Sequence, residues 1–437
     1  MKPLKVGLLG IGTVGGGTFS VLLRNKQEIF RRTGREIEIV RVADRDLVRA
    51  NEVTQGKVEV TDDPFSLVKD PNIDVIVELI GGTSLARELV IKAIENGKHV
   101  VTANKALIAL HGNEIFAMAE SKGVIVAFEA AVAGGIPIIK ALREGLVANR
   151  IEWIAGIING TTNFILSEML EKSLTFNEVL KEAQRLGYAE SDPTFDVEGI
   201  DAAHKLMIMS AIAFGIPMQF DKVYTEGITK LASKDIMYAV ELGYRVKLLG
   251  IAKRTNDGVE LRVHPTLIPQ KRLVANVNGA MNAVVVKGDA VGPTLYYGAG
   301  AGAEPTASAV IADLVDVARM QFASFEQRVP YLAFQNNQIS NLPILPIEEI
   351  QSAYYLRMRV LDKPGVLAEI TKIFALRQIS IDAMIQREPQ ENEDEADIVF
   401  LTHITQEGNM NAAIAEIESL SAIDGRVTKI RMEELSK

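Results

Sequence analysis

The 437-residue chain contains no cysteine, which removes disulfides, thiolate nucleophiles and cysteine-ligated metals from consideration. Positive charge is also in short supply: 47 Lys and Arg against 56 Asp and Glu leave a net charge of −9. A nucleic-acid binder would show a basic patch, so that class is set aside. No apolar run approaches the roughly 18 residues of a membrane span. The N-terminus, MKPLKVGLLGIG, breaks into glycines before it can form the apolar core of a signal peptide. A cytoplasmic protein that meets neither nucleic acid nor membrane is expected. Histidine is scarce as well: His99, His111, His204, His264 and His403 are the only five. Their scatter makes no case for a metal cluster, and packing or surface roles are expected.

What is present has ordinary globular proportions, 48% apolar and 24% charged. The length calls for two or three cores. In the first 130 residues short apolar runs (KVGLLG, EIEIVRVAD, NIDVIVELIGG, KHVVTAN, VIVAFEA) alternate with helical patterns. The first of these patterns is TVGGGTFSVLLRNKQEIFRR. Strand-length runs closed by Gly or Asp and separated by helices predict a parallel sheet covered on both faces. Residues 131–325 are less regular. IEWIAGIING, VELRVHP and MNAVVVKGD read as strands of a second sheet, with helices at SEMLEKS and DAAHKLMIMSAIAF. Residues 326–353, holding Pro330, Pro343 and Pro346, read as a linker. From 354 to 434 the rhythm becomes βαββαβ, with an acidic loop at QENEDEAD; this is the split ferredoxin-like unit. The linker is expected to separate independently patterned cores, so that removing the chain from about 350 onward would leave a folded, active remainder.

Gly10-Ile11-Gly12-Thr13-Val14-Gly15 is a G-x-G-x-x-G placed after a strand and at the opening of a helix. Its glycines permit a tight turn, close approach of a pyrophosphate, and close helix–strand packing. The phosphates would sit on free N–H groups at the helix start. The ribose reader is expected at the end of the second strand, VRVADRD. Asp44 there suits ribose hydroxyls and NAD, whereas Arg45 suits the 2′-phosphate of NADP. Both are present, so the residues leave NAD and NADP open, with a slight lean to NADP and NAD tolerated. A second glycine-rich stretch, GAGAG before PTASA, leads into a helix and can offer backbone N–H groups to an anion.

Residues 187–206, GYAESDPTFDVEGIDAAHKL, set five carboxylates before one lysine. On the helix DAAHKL, Asp201 and Lys205 are four residues apart and share a face. Such a pair is either a surface ion bridge or a carboxylate that orients a buried ammonium and keeps it charged. Asp192 precedes a proline and suits a turn; Glu198 reads as solvated.

These stretches together resemble the homoserine dehydrogenase family, in particular its monofunctional bacterial form with a C-terminal ACT domain. The resemblance covers nearly the whole chain. It is carried in order by GIGTVG (10–15), VVTANKALIA (100–109), FEAAVAGGIP (128–137), GIINGTTNFIL (156–166), GYAESDPTFDVEGIDAAHKL (187–206) and YGAGAGAEPTASAV (297–310). The last departs from the pattern at Glu304, where a neutral residue is expected. The resemblance implies an α/β chain with three parts. These are a Rossmann-type NAD(P)-binding domain (1–130), an α+β substrate and dimerisation domain (131–325) whose 306–325 helix returns to the nucleotide domain, and an ACT domain (354–434). It implies interconversion of L-homoserine and L-aspartate 4-semialdehyde with NADP or NAD, in a homodimer or homotetramer.

Residue by residue, the resemblance makes Lys205 and Lys105 catalytic lysines with Asp201 beside them. It assigns Glu190 to homoserine binding and places Asp196 near the substrate. Thr161 is a substrate-contacting hydroxyl or a helix N-cap. Gly302 and Lys105 would lie on the cofactor. The backbone carbonyls of Glu129, Val132, Gly134 and Ile136 match the family's site for a monovalent cation, sodium or potassium. In LDKPGVLAEI, Gly365, Val366 and Leu367 open a helix whose N–H groups suit an amino-acid carboxylate. The natural effector is threonine; the alternative is an assembly module without ligand. A catalytically silent sensor on the same scaffold would have no use for both lysines together with Glu190 and Asp201.

Overall fold

The N-terminal strands carry Leu, Val and Ile toward both sides, which only a sheet with helices above and below can bury. In the computed structural model, which describes residues 2–387 and 394–435, they do so. β1 (Leu4–Leu9), β2 (Ile37–Ala43), β3 (Glu59–Thr61), β4 (Val75–Glu78), β5 (His99–Thr102) and β6 (Val126–Ala127) form one parallel sheet in the order β3-β2-β1-β4-β5-β6. That is the doubly wound dinucleotide-binding order, with its switch point between β1 and β4. Five of the six strands are those read from the sequence. β3 is the addition, and its three residues are too few for a pattern. The helix expected over 13–32 is two helices, Thr13–Arg24 and Lys26–Thr33. Asn25, at φ −101° and ψ 14°, breaks the helical path between them.

The chain does not fill its compact units in succession. One unit comprises 1–160, 201–223 and 280–342; the other comprises 161–200, 224–279 and 343–437. In the first, the parallel sheet is joined by an antiparallel group, Ile151–Ile157, Met281–Gly288 and Gly292–Ala299. Helix Ala303–Met320 packs on Thr13–Arg24, and Val310, Leu314 and Val317 share one core with Val6, Leu8 and Phe19.

In the second unit, strands Tyr244–Arg254 and Val259–Pro269 pair antiparallel along their full length. The C-terminal strand Ile423–Met432 then adds in parallel, through Thr266↔Arg431 and Leu267↔Met432. Beyond it lie Gln351–Leu361, Glu395–Thr402 and Ile381–Gln386, each antiparallel to its neighbour. With helices Val366–Leu376 and Glu407–Glu418 this is the expected βαββαβ fold, around Leu356, Met358, Ile370, Phe374, Phe400 and Ile417. Residues 390–393 of the acidic loop lie outside the described residues, and Glu395–Asp397 open a strand instead.

The tail has a hydrophobic core of its own, as expected, but the expectation that it stands apart from the rest of the chain is corrected here. The tail shares a sheet with Val259–Pro269, and two of its charged side chains pair with buried residues outside the tail. Arg262, 1% exposed, pairs with Glu433 at 2.6 Å, and Asp235, fully buried, receives Arg357 at 2.5 Å and the Tyr355 hydroxyl at 3.0 Å.

Candidate active site

The glycine-rich turn shows why its residues cannot be larger. A Cβ on Gly15 would stand 2.1 Å from the Gly10 carbonyl oxygen, whereas one on Gly12 would meet nothing within 4 Å. Gly12 is the N-cap of helix Thr13–Arg24 and brings no side chain to its N–H groups. The turn thus keeps open room and unfilled donors at a helix N-terminus, the chemistry a pyrophosphate needs. Asp44 braces this loop: its carboxylate accepts from Ile11 N at 2.7 Å and from Asp46 N at 2.9 Å. A cavity of about 360 Å3 opens here, lined by Gly10, Gly12, Asp44, Arg45, Ile80 and Gly81 among others. Gly302, at φ +125°, starts helix Ala303–Met320 without a side-chain cap. Glu304, the departure from the family pattern, is exposed and holds Arg24 by two hydrogen bonds of 2.7 and 2.9 Å.

Lys105 is placed by the end of the parallel sheet. Buried Glu78 closes β4 and accepts from Thr102 Oγ1 at 2.6 Å and from the N–H groups of Ile80 and Gly81. Burial pushes its carboxyl above the usual range against those hydrogen bonds. Thr102 Oγ1 accepts from Asn104 N, and Asn104 caps helix Lys105–Lys122 by accepting from Leu107 N at 3.0 Å. Lys105 is therefore the first residue of a capped helix, at the carboxyl edge where ligands of doubly wound sheets bind.

From there the Lys105 ammonium reaches Asp201 Oδ1 at 2.6 Å. The other oxygen, Oδ2, receives Lys205 Nζ at 2.7 Å, one turn along helix Ile200–Phe214, and Asn159 Nδ2 at 2.9 Å. Lys205 also donates to the Ile158 carbonyl at 2.8 Å. Burial alone would raise the Asp201 carboxyl, but the two ammonium groups outweigh it and hold the group well below the usual carboxylate range. The structure thus brings together all three residues singled out for chemistry. Asn159 is a fourth, overlooked although it stands in the quoted run GIINGTTNFIL; nothing in its spacing separates a buried amide ligand from a loop residue.

In the second unit, Glu190 is exposed and Asp196 half-buried on the short helix Thr194–Val197. The Thr161 hydroxyl donates to the Tyr188 carbonyl at 2.7 Å, tying helix Gly160–Lys172 to the start of the acidic stretch. Asp192 makes the expected turn by accepting from Thr194 N. Glu198, read as solvated, is half-buried and accepts from the Thr229 hydroxyl at 2.9 Å at the surface. Gly365, at φ +100°, begins helix Val366–Leu376 with no side-chain cap, next to Val366 and Leu367.

Residues 129–137 form a folded-back loop: Ile136 N donates to the Ala133 carbonyl, and Gly135 N to that of Ala299. The Glu129 side chain points into the protein, accepting from Ile139 N and Lys140 N, and burial pushes it up to about 7. Among the described residues no group of three or more Asp, Glu, His or Cys side chains is placed to hold a metal ion. A cation at 129–136 would rest on main-chain oxygens.

A nucleotide-binding sheet with an open phosphate turn, and paired ammonium groups fixed by one buried carboxylate, define a dinucleotide-dependent oxidoreductase. Residues 10–129 match the NAD binding domain of homoserine dehydrogenase, residues 137–315 match homoserine dehydrogenase itself, and residues 354–422 match the ACT domain. The chain is 64% identical to a homoserine dehydrogenase of Pseudomonas aeruginosa and 60% identical to one of Neisseria gonorrhoeae, with all of each chain covered. The crystal structure of a homoserine dehydrogenase from Thiobacillus denitrificans superposes with a TM-score of 0.96 at 66% identity, over 100% of this chain and 99% of that one. A hyperthermophilic archaeal homoserine dehydrogenase in complex with NADPH gives 0.62 at 27% identity, over 74% and 99%. The chain belongs to the homoserine dehydrogenase family, oxidoreductases that act on a CH–OH group. No helix among the described residues is long and apolar enough to cross a membrane.

Proposed function

We propose that the protein interconverts L-homoserine and L-aspartate 4-semialdehyde in the cytoplasm, in the biosynthesis of threonine, methionine and isoleucine, with Lys205 and Lys105 serving the reacting oxygen. The observation that carries this reading is the shared carboxylate, since two ammonium groups on one Asp201 leave a net positive charge. The bound nicotinamide supplies the hydride in one direction and takes it in the other. As an aldehyde becomes an alcohol, negative charge develops on its oxygen. Lys205, whose side chain is 11% exposed, donates a proton there, and Lys105, 34% exposed, adds a positive field. Asp201 holds both groups without surrendering its own charge. Gly10, Gly12, Thr13, Val14 and Gly15 hold the phosphates, Asp44 and Arg45 face the ribose of NADP or NAD, and Gly302 closes over the cofactor. This is supported by the open space at Gly12 and by the archaeal relative solved with NADPH.

Glu190 and Asp196 take the ammonium of the amino-acid substrate, and Thr161 shapes the same region through Tyr188. Sodium or potassium sits on the carbonyls of Glu129, Val132, Gly134 and Ile136, a reading supported by the tight loop with Gly134 at φ +48°. Threonine binds at Gly365–Leu367 and inhibits, supported by the uncapped helix start. Exposed Leu295 and Tyr297 on an edge strand favour assembly into a homodimer or homotetramer. Initial rates with NADPH and NADH, with and without millimolar threonine, test the cofactor and effector assignments. Lys205→Ala should lower turnover by about 10²–10⁴ while NADPH affinity, followed by nicotinamide fluorescence, stays near the parent value. Normal turnover, or lost NADPH binding, removes Lys205 from this role.

A further inference from the structure

Glu226 has no place in the chemistry above, yet two parts of the second unit meet at it. Its Oε2 accepts from Arg431 Nη1 at 2.7 Å and from the Tyr224 hydroxyl at 2.9 Å. Arg431, 1% exposed on the last strand, is held on its other side by buried Glu407, at 2.7 and 2.9 Å. Glu407 begins helix Glu407–Glu418 and also accepts from the Tyr354 hydroxyl at 2.7 Å. One buried guanidinium therefore joins the core of the ACT-type fold to residues 224–229.

Residues 224–229 in turn grip the acidic stretch. Ile228 N donates to the Val197 carbonyl at 2.9 Å, and the Thr229 hydroxyl to Glu198 Oε1 at 2.9 Å. The approach is close enough that a Cβ on Gly227 would stand 2.4 Å from the Val197 oxygen. The main chain of Glu226 is itself anchored, its N–H on the Val263 carbonyl at 2.8 Å. Residues 197–199 are seated on this loop, immediately after Asp196 and a few positions after Glu190.

We propose that Glu226 is a positioning residue for substrate binding: through it Arg431 lets the C-terminal fold set where the acidic segment stands, and with it Glu190 and Asp196. The proposal rests on the reading of those two carboxylates as partners of the substrate ammonium. Its geometry gives a direct route by which the state of the C-terminal fold reaches the substrate side. The Arg431–Glu226 link can be weakened while Arg431 keeps Glu407, so the route can be cut without stranding a buried charge.

Glu226→Gln in the full-length enzyme keeps the shape and removes the charge. It should raise the homoserine KM about three- to tenfold with kcat within about twofold, because the loss falls on substrate placement rather than on the transition state. NADPH affinity should be unchanged, and amide hydrogen exchange across 190–199 should quicken. Thr229→Val, at an exposed position, cuts only the last link and should raise KM in the same direction with no change in melting temperature. A lower melting temperature with unaltered KM and unaltered exchange would make Glu226 a strut and overturn the proposal. Glu190→Gln separates the two ideas. If it raises KM while neither Glu226→Gln nor Thr229→Val does, the positioning role is wrong. If exchange quickens in Glu226→Gln but Glu190→Gln leaves KM alone, the mechanical link stands and the substrate assignment has failed.

Discussion

Asp201 meets two lysines and an amide with its two oxygens, so three of the roughly four hydrogen-bonding directions in the plane of the carboxylate are taken by the protein. Its folded pKa is depressed, so its contribution is present above about pH 4 and is lost only as pH falls through the lower folded value. Acid lability of the fold must therefore begin elsewhere. His99 is one source. Its Nδ1 accepts from Ile125 N at 2.9 Å, which requires the neutral ring, and burial lowers it to about 4. The unfolded chain takes up a proton below about pH 6.5, so the stability from neutral His99 is complete above that value and is lost toward pH 4. The stability difference between parent and His99→Gln should be constant above neutrality. It should narrow by about 2–3 kcal/mol by pH 4. A difference flat from pH 8 to 4, measured by denaturant melts, would dismiss this source. The Asp201–Lys205 pair was legible because one helical turn fixes it. Lys105, some hundred residues away, was reached only through the motif around it, and Asn159 not at all, since its role exists only once the chain has folded.

Between helices, a close approach near the nucleotide turn is at Gly17, where a Cβ would stand 2.5 Å from the Ala303 carbonyl oxygen. Helices Thr13–Arg24 and Ala303–Met320 lie this close because the position has no side chain. Gly17→Ala forces them apart, at a cost of about 1–3 kcal/mol. It also shifts the helix start that carries the phosphate donors. We expect a lower melting temperature together with weaker NADPH binding; a melting change with full NADPH affinity would uncouple this contact from the turn. The parallel strands were readable because burial on both faces writes continuous apolar runs. Tyr244–Arg254 was not, because it carries Lys247 into the interior. That ammonium donates to Asn163 Oδ1, the Val277 carbonyl and Asn278 Oδ1, and burial lowers it to about 8. A lysine inside a strand defeats any rule of alternating polarity. Gly292–Ala299 begins with Gly and Pro, lies at a sheet edge, and so reads as a turn.

At the scale of the molecule, the C-terminal 80-odd residues are not a detachable accessory. Ending the chain near 350 removes Glu433 from buried Arg262, and Arg357 and Tyr355 from buried Asp235. Losing Arg357 strands the buried Asp235 carboxylate, at about 3–5 kcal/mol, whereas Arg262 keeps Glu260 at 3.1 Å; the one loss is already a large part of the stability of a typical domain. The truncated protein should be insoluble or melt far below the parent, and a soluble, fully active truncation would show that these pairs contribute little. The folding order along the chain has a further consequence. The flank of helix Thr13–Arg24, with Phe19 and Leu22, is covered by a helix that ends at Met320. A ribosome adds about 5–20 residues per second, so the earliest helix waits on the order of tens of seconds for its cover. During that interval the nascent nucleotide-binding half presents a greasy surface to its surroundings. The rate of translation, and the holding factors near the exit tunnel, therefore govern yield in a way that the finished protein's stability does not record.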